Sequence, residues 1–193
     1  METYKGLPIY EFTIDGEGLA VDAVALVDKP AIKKDFQAFS EDAQLFNFSV
    51  QDEERHIISG ALMLAETPIF RTDAKRGDFY CKFSKDTIEQ IAVKFFENGS
   101  QKNVNFMHDG KLIDGFVMFE SFITDLDRGI LPMKGFEDVP NGSWFGSFKV
   151  NNEEAWQLIK DGSVKGFSVE GLFNLSLPSQ DSFWDELEDI LKD

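Results

Sequence analysis

Serine, histidine and carboxylate side chains are the residues of this chain whose types could do chemistry together. Ser168 sits in Lys165-Gly166-Phe167-Ser168-Val169-Glu170-Gly171-Leu172-Phe173, a lone hydroxyl among apolar residues between two glycines. The alternation places Phe167, Val169 and Phe173 on one face of a short strand and Ser168 on the other, a seat suited to a nucleophile. The plain alternative is a packed hydroxyl that bonds to the main chain. A serine nucleophile needs a base. The chain holds two histidines, His56 and His108. His108 is the better general-base candidate, because Asn103-Val104-Asn105-Phe106-Met107-His108-Asp109-Gly110 reads as a short strand that delivers it to a turn. An imidazole of ordinary pKa, about 6.5, can take a hydroxyl proton near neutral pH and return it to a leaving amine. The competing reading for His108 is a surface-turn histidine. His56 opens a strand beside charged residues, where solvent contact explains it.

Other reactive types fit structural roles. Cys81 falls on the apolar face Phe79, Cys81, Phe83 of a hairpin strand, the reverse of the exposed, electropositive setting a thiolate needs. Asp22, inside the apolar run Ala20-Val21-Asp22-Ala23-Val24-Ala25-Leu26-Val27, reads as an exposed edge-strand carboxylate. Asp109 follows His108 directly, and adjacent strand residues point to opposite faces, so it orients that ring only if the chain turns there. Asp125 and Asp127 loosely resemble a calcium loop but lack its third acid and distal Glu, so no metal site is expected. No Gly-rich phosphate loop is present, and no cofactor is expected.

The elements that must position these residues follow from periodicity. Strands are expected over residues 7–14, 20–27, 57–64, 115–125 and 143–150, with a hairpin of residues 68–71 and 78–83. Residues 36–50 read as interrupted strands. One helix runs from Ser84 or Asp86 as N-cap, with Ile88, Ile91, Ala92, Phe95 and Phe96 at helical spacing, to Asn98-Gly99. A second spans residues 153–160, capped by Asn151 or Asn152, and leads into the Ser168 strand. The expected fold class is mainly β with helices (α+β): a closed or partly open antiparallel β-barrel with two or three helices around it. Residues 1–177 form a single domain in this reading. Residues 178–193 form an acidic amphipathic C-terminal tail carrying Phe183, Trp184, Leu187, Ile190 and Leu191.

Composition bounds the function. At 193 residues and 42% hydrophobic content, the chain can bury a core without disulfides, and its one cysteine excludes an internal one. The formal charge of -16 works against nucleic acid or anionic lipid as partner, leaving proteins. No signal segment or bilayer-length apolar run is seen, so a soluble, cytoplasm-like location is expected. Twenty Phe against three Tyr and three Trp predict a core with few polar handles.

Five segments, taken in order, carry a resemblance. They are Ala25-Leu26-Val27-Asp28-Lys29-Pro30-Ala31-Ile32, Pro68-Ile69-Phe70-Arg71, the helix from Phe83 to Gly99, Met107-His108-Asp109-Gly110, and Lys165-Gly166-Phe167-Ser168-Val169-Glu170-Gly171. With these the chain resembles the XkdF-like phage serine proteases, a branch of the prohead (capsid maturation) proteases, over nearly its whole length. The resemblance implies a fold similar to herpesvirus assemblins, Ser168 as nucleophile and His108 as general base. It also implies cleavage of scaffold and major capsid proteins, and of the protease itself, inside the immature phage head in the host cytoplasm. A homodimeric active form is compatible with it.

The chain departs from the pattern at the third catalytic member. Related proteases carry the acid in a Glu-Val-Ser-Leu-Val-x-x-Pro-Ala-like segment after the serine strand. Here the similar segment precedes both other motifs, and its acid slot holds Ala23. Asp22, the nearest carboxylate, is the first choice for that member. Glu170, two residues beyond Ser168 on the same strand face, is the second, and His56 a third. The competing function is a non-catalytic capsid-assembly or scaffold protein with the same fold; a cysteine hydrolase through Cys81 ranks below both.

Overall fold

The computed structural model of the chain describes residues 2–14, 21–28, 48–171 and 173–176. In chain order the strands are β1 (Thr3–Tyr4), β2 (Leu7–Thr13), β3 (Val21–Val27), β4 (Ser49–Asp52), β5 (Ile57–Met63), β6 (Ile69–Asp73) and β7 (Gly77–Lys82). Helix α1 (Lys85–Glu97) and a 3₁₀ turn at Ser100–Lys102 lead to β8 (Val104–Phe106), β9 (Phe116–Ile123) and β10 (Trp144–Val150). Helix α2 (Glu153–Lys160), β11 (Gly166–Gly171) and β12 (Asn174–Ser176) complete the described chain. The expected C-terminal tail, and residues 36–47 of the interrupted strands, lie outside the described residues.

Among the described residues the architecture is mixed α+β, mostly sheet with two helices, in line with the expected class, but a closed barrel is not found. The described strands form three sheets, β1-β2-β7-β6 with β12 beside β2, β4-β5-β10-β9, and β11-β3-β8. No closed barrel occurs among them. Two pairings, β2 with β7 and β3 with β8, are parallel. Period-2 patterning identifies a half-buried strand but carries no information on which strand lies beside it, and parallel neighbours need long crossovers that leave no local mark. Here α1 and the 3₁₀ turn lie on such a path between β3 and β8.

Local chemistry sets the helix ends. The Ser84 hydroxyl accepts from Thr87 N–H at the start of α1, and Asn152 Oδ1 accepts from Ala155 N–H at the start of α2, each satisfying one orphan donor. Ile88, Ile91, Ala92 and Phe95 of α1, and Ala155, Trp156 and Ile159 of α2, are buried in the main core.

That core also takes one face of the small sheet β11-β3-β8. Phe167 pairs with Leu26, which pairs with Phe106; Val169 pairs with Val24, which pairs with Val104. These six side chains all belong to the core or pack against it. Phe167 is the main anchor of β11, with its ring 5.2 Å from Phe48 and 5.1 Å from Phe148 between centroids. Burying a phenylalanine contributes about 1.5–3 kcal/mol, so this face fixes β11. The alternate residues of β11 are thereby committed to the other face.

Candidate functional site

The face of the small sheet turned away from the core collects the residues that could do chemistry. The register puts Ser168, Ala25 and Asn105 in one row across the three strands, and Glu170 opposite Ala23 in the next. Side chains paired across a sheet share a face. Ser168, Glu170 and Asn105 therefore stand on one side of the sheet, and between them the central strand β3 contributes only two methyl groups.

The path into β11 is closely tied. After α2, the N–H of Gly162 donates to Ile159 C=O and that of Val164 to Leu158 C=O, and Lys165 N–H then donates to Val27 C=O at 2.8 Å to start the ladder. Ser168 sits half-buried two rungs further on.

His108 reaches the same face from the end of β8. Met107 N–H donates to Leu26 C=O as the last bond of that edge, and Asp109 N–H donates to Phe106 C=O at 2.9 Å. Met107 has φ of 49° and His108 φ of 58°. Positive φ at both central residues of an i to i+3 bonded turn is the type I′ signature, a geometry that favours Asn-Gly and costs other residues about 1–2 kcal/mol each. The turn folds His108 back over β3. Its Nδ1 lies 2.8 Å from Glu170 Oε1, and its side chain is only 9% exposed. A carboxylate can only accept, so the ring donates through Nδ1–H, which leaves Nε2 as the basic nitrogen.

The second oxygen of Glu170 is also held. Asn105 Nδ2 donates to Glu170 Oε2 at 2.6 Å from a fully buried side chain. Asn105, Glu170 and His108 thus form one chain of hydrogen bonds. Its far end, His108 Nε2, is buried without a hydrogen-bond partner among the described residues, so no bond joins it to Ser168 Oγ. Such nucleophile–base bonds are commonly long until substrate tightens a site.

The carboxylate at the histidine is Glu170, and the sequence-based preference for Asp22 finds no support in the geometry. Gly171 pairs with Val21 and Glu170 with Ala23, so Asp22 is the extra residue of a bulge and its side chain is exposed. Nor is β3 an edge strand; it is the middle of its sheet. Ala23 is the direct cross-strand neighbour of Glu170. A carboxylate from either position would emerge on the same face, one strand apart.

The remaining candidates are engaged elsewhere. The His56 ring stacks on Trp156, 4.4 Å between centroids and 11° between planes. Asp109 Oδ1 accepts from Lys111 N–H, closing its own turn. Cys81 is fully buried, its Sγ 3.5 Å from Ile69 C=O, and burial pushes its thiol up to about 12. Asp125 Oδ1 accepts from Arg128 N–H. Among the described residues no group of three or more His, Cys, Asp or Glu is placed to hold a metal ion.

Asn105 was not singled out by its sequence context, where it reads as one residue of a short strand. The alanines of Val21-Asp22-Ala23-Val24-Ala25 were the available signal: small residues alternate with buried valines where a side chain from another strand must pass.

Residues 45–175 match the family described as "Putative phage serine protease XkdF", and the chain belongs to that family. The match includes Ser168, His108, Glu170 and Asn105, and leaves out β3, which lies before it. No curated protein gives a significant match. No solved structure does so either.

Proposed function

We propose that this chain is a phage prohead maturation serine endopeptidase, with Ser168 as nucleophile, His108 as general base and Glu170 as the acid that holds the base. The observation that carries the reading is the 2.8 Å bond from His108 Nδ1 to Glu170 Oε1, with Glu170 on the same strand face as Ser168. That bond selects the tautomer with a free Nε2, as a hydrolase triad requires. Membership in a phage serine protease family supplies the reaction class.

In the proposed reaction Nε2 removes the Ser168 proton as Oγ attacks a peptide carbonyl. Glu170 stabilises the imidazolium that forms, and the ring then protonates the leaving amine. Water, deprotonated by the same nitrogen, attacks the acyl-enzyme, and the proton returns to Ser168. The substrates are the major capsid and scaffold proteins assembled around the enzyme in the immature head, the enzyme itself included, and the active form is a homodimer. The strongly acidic chain fits a protein partner better than the packaged nucleic acid.

Co-expression with the neighbouring capsid and scaffold proteins tests this. Wild type should process them, whereas Ser168→Ala and His108→Ala should leave them whole. Equal cleavage by all three would overturn the assignment.

One observation favours a second reading, a non-catalytic assembly protein: Nε2 has no bond to Ser168. A serine-directed fluorophosphonate probe at high protein concentration separates the two, since an assembly protein would take no label at Ser168.

A further inference from the structure

The geometry points to Asn105 as a positioning residue, one that fixes the carboxylate of Glu170 so that Glu170 in turn fixes the tautomer and orientation of His108. This rests on the reading of Glu170 and His108 as the acid and base of the site. Asn105 is fully buried at the centre of β8. Its Nδ2 donates to Glu170 Oε2 at 2.6 Å, while Glu170 Oε1 lies 2.8 Å from His108 Nδ1. Each carboxylate oxygen is thus assigned a separate donor, and rotation of the carboxylate about its terminal bond would break both.

The amide is retained at a cost. Because a carboxylate offers no donor, the amide nitrogen must face Glu170, and Oδ1 faces away. There it is buried without a hydrogen-bond partner among the described residues. The only other buried side-chain atom in that condition among them is His108 Nε2, in the same cluster. A buried unpaired acceptor is destabilising, and an apolar residue would avoid the penalty. The bond that the amide donates to the Glu170 carboxylate offsets that penalty, so the presence of an asparagine is tied to the carboxylate it holds. Its one evident contribution is the donor to Glu170, and such supporting bonds set the tautomer and aim of a working histidine.

The donor comes from β8, the strand on the far side of β3 from Glu170. Asn105 and Ser168 flank Ala25 in the same row, so the amide reaches Glu170 across β3, from two strands away, while Ser168 stands on Glu170's own strand.

Nitrogen-15 NMR of the histidine side chains of the full chain tests the inference without a substrate. The wild type should show one His108 tautomer, with Nδ1 protonated and a downfield Nδ1–H proton slow enough to observe, and a downfield Asn105 side-chain amide proton that shifts in Glu170→Gln. In Asn105→Ala the downfield His108 proton should be lost to exchange and the tautomers should mix. Unchanged tautomer and exchange in Asn105→Ala would overturn the inference. If that variant fails to fold, a wild-type Asn105 amide indifferent to Glu170→Gln would overturn it instead. Failure of the protease reading is separate, appearing as probe labelling indifferent to Ser168→Ala.

Discussion

The turn that presents His108 should be strained, and Met107 allows the strain to be measured without touching the site's hydrogen bonds. Met107 and His108 hold φ of 49° and 58°, and Met107 is 37% exposed. Comparing Met107→Gly with Met107→Ala removes the side chain in both, including the weak Asp28 N–H contact to Sδ at 3.4 Å. The two then differ only in backbone freedom. At an ordinary φ alanine is favoured over glycine by about 0.5–1 kcal/mol through the unfolded chain's entropy. At positive φ the left-handed penalty of about 1–2 kcal/mol reverses this. Met107→Gly should therefore be the more stable of the pair by about 1 kcal/mol, which for a chain of this size is about 2–4 °C in Tm. Thermal unfolding followed by circular dichroism, with urea titration for ΔG, measures it. His108→Gly relieves the same kind of strain but loses a bond to a charged group worth about 1.5–3 kcal/mol, so it should not gain stability. Equal stability of the two Met107 variants, or the alanine ahead, would refute the strained-turn argument.

Further outcomes rest on packing and burial. Gly60→Ala would place a methyl 3.0 Å from Phe48 Cα and 3.2 Å from its Cβ, so urea unfolding should show a loss of about 1–3 kcal/mol against the wild type; a neutral result would mean that β4 yields. Ser59 and Ser147 face each other across β5 and β10 with their hydroxyls 2.7 Å apart and both side chains buried. Each single alanine variant should lose about 1–3 kcal/mol while the double variant loses far less than the sum, and additivity in the cycle would contradict this. Cys81, its thiol raised from an ordinary 9.0 to about 12 by burial, should resist alkylation at pH 8 until the protein unfolds. Since the unfolded thiol releases its proton first, the stability that burial of the neutral thiol contributes is intact below pH 9.0 and falls as pH rises toward about 12, which alkaline urea titrations should record.

Much of the local structure was legible because it depends on neighbours in sequence. The second helix begins and ends where its Asn152 cap and Asp161-Gly162 place it, and β10 lies within one residue of its apolar pattern. What sequence could not carry was pairing. Nothing in Leu7–Thr13 shows that its neighbour is β7 in parallel, and the expected antiparallel barrel gave way to three sheets for that reason. The candidate site divides the same way. Ser168 and His108 are candidates by local context, each with a plain structural alternative, and the family pattern around them rather than their local chemistry singles them out; Cys81 is set aside by its strand face. Which of Asp22 and Glu170 lies at His108 depends on a bulge that drops Asp22 from the register, and Asn105 gains its contact through a β8 that lies two strands from β11. Both are long-range facts of register.

The central claim is that Ser168 is a nucleophile activated by His108 and Glu170. Fluorophosphonate labelling at high protein concentration, with the adduct located by peptide mass spectrometry, tests it most directly. The account predicts one adduct, on Ser168, formed at least about 100-fold more slowly in His108→Ala, clearly more slowly in Glu170→Ala, and at the wild-type rate in Asp22→Ala. No adduct on Ser168 in the wild type, or labelling that depends on Asp22 and not on Glu170, would contradict it.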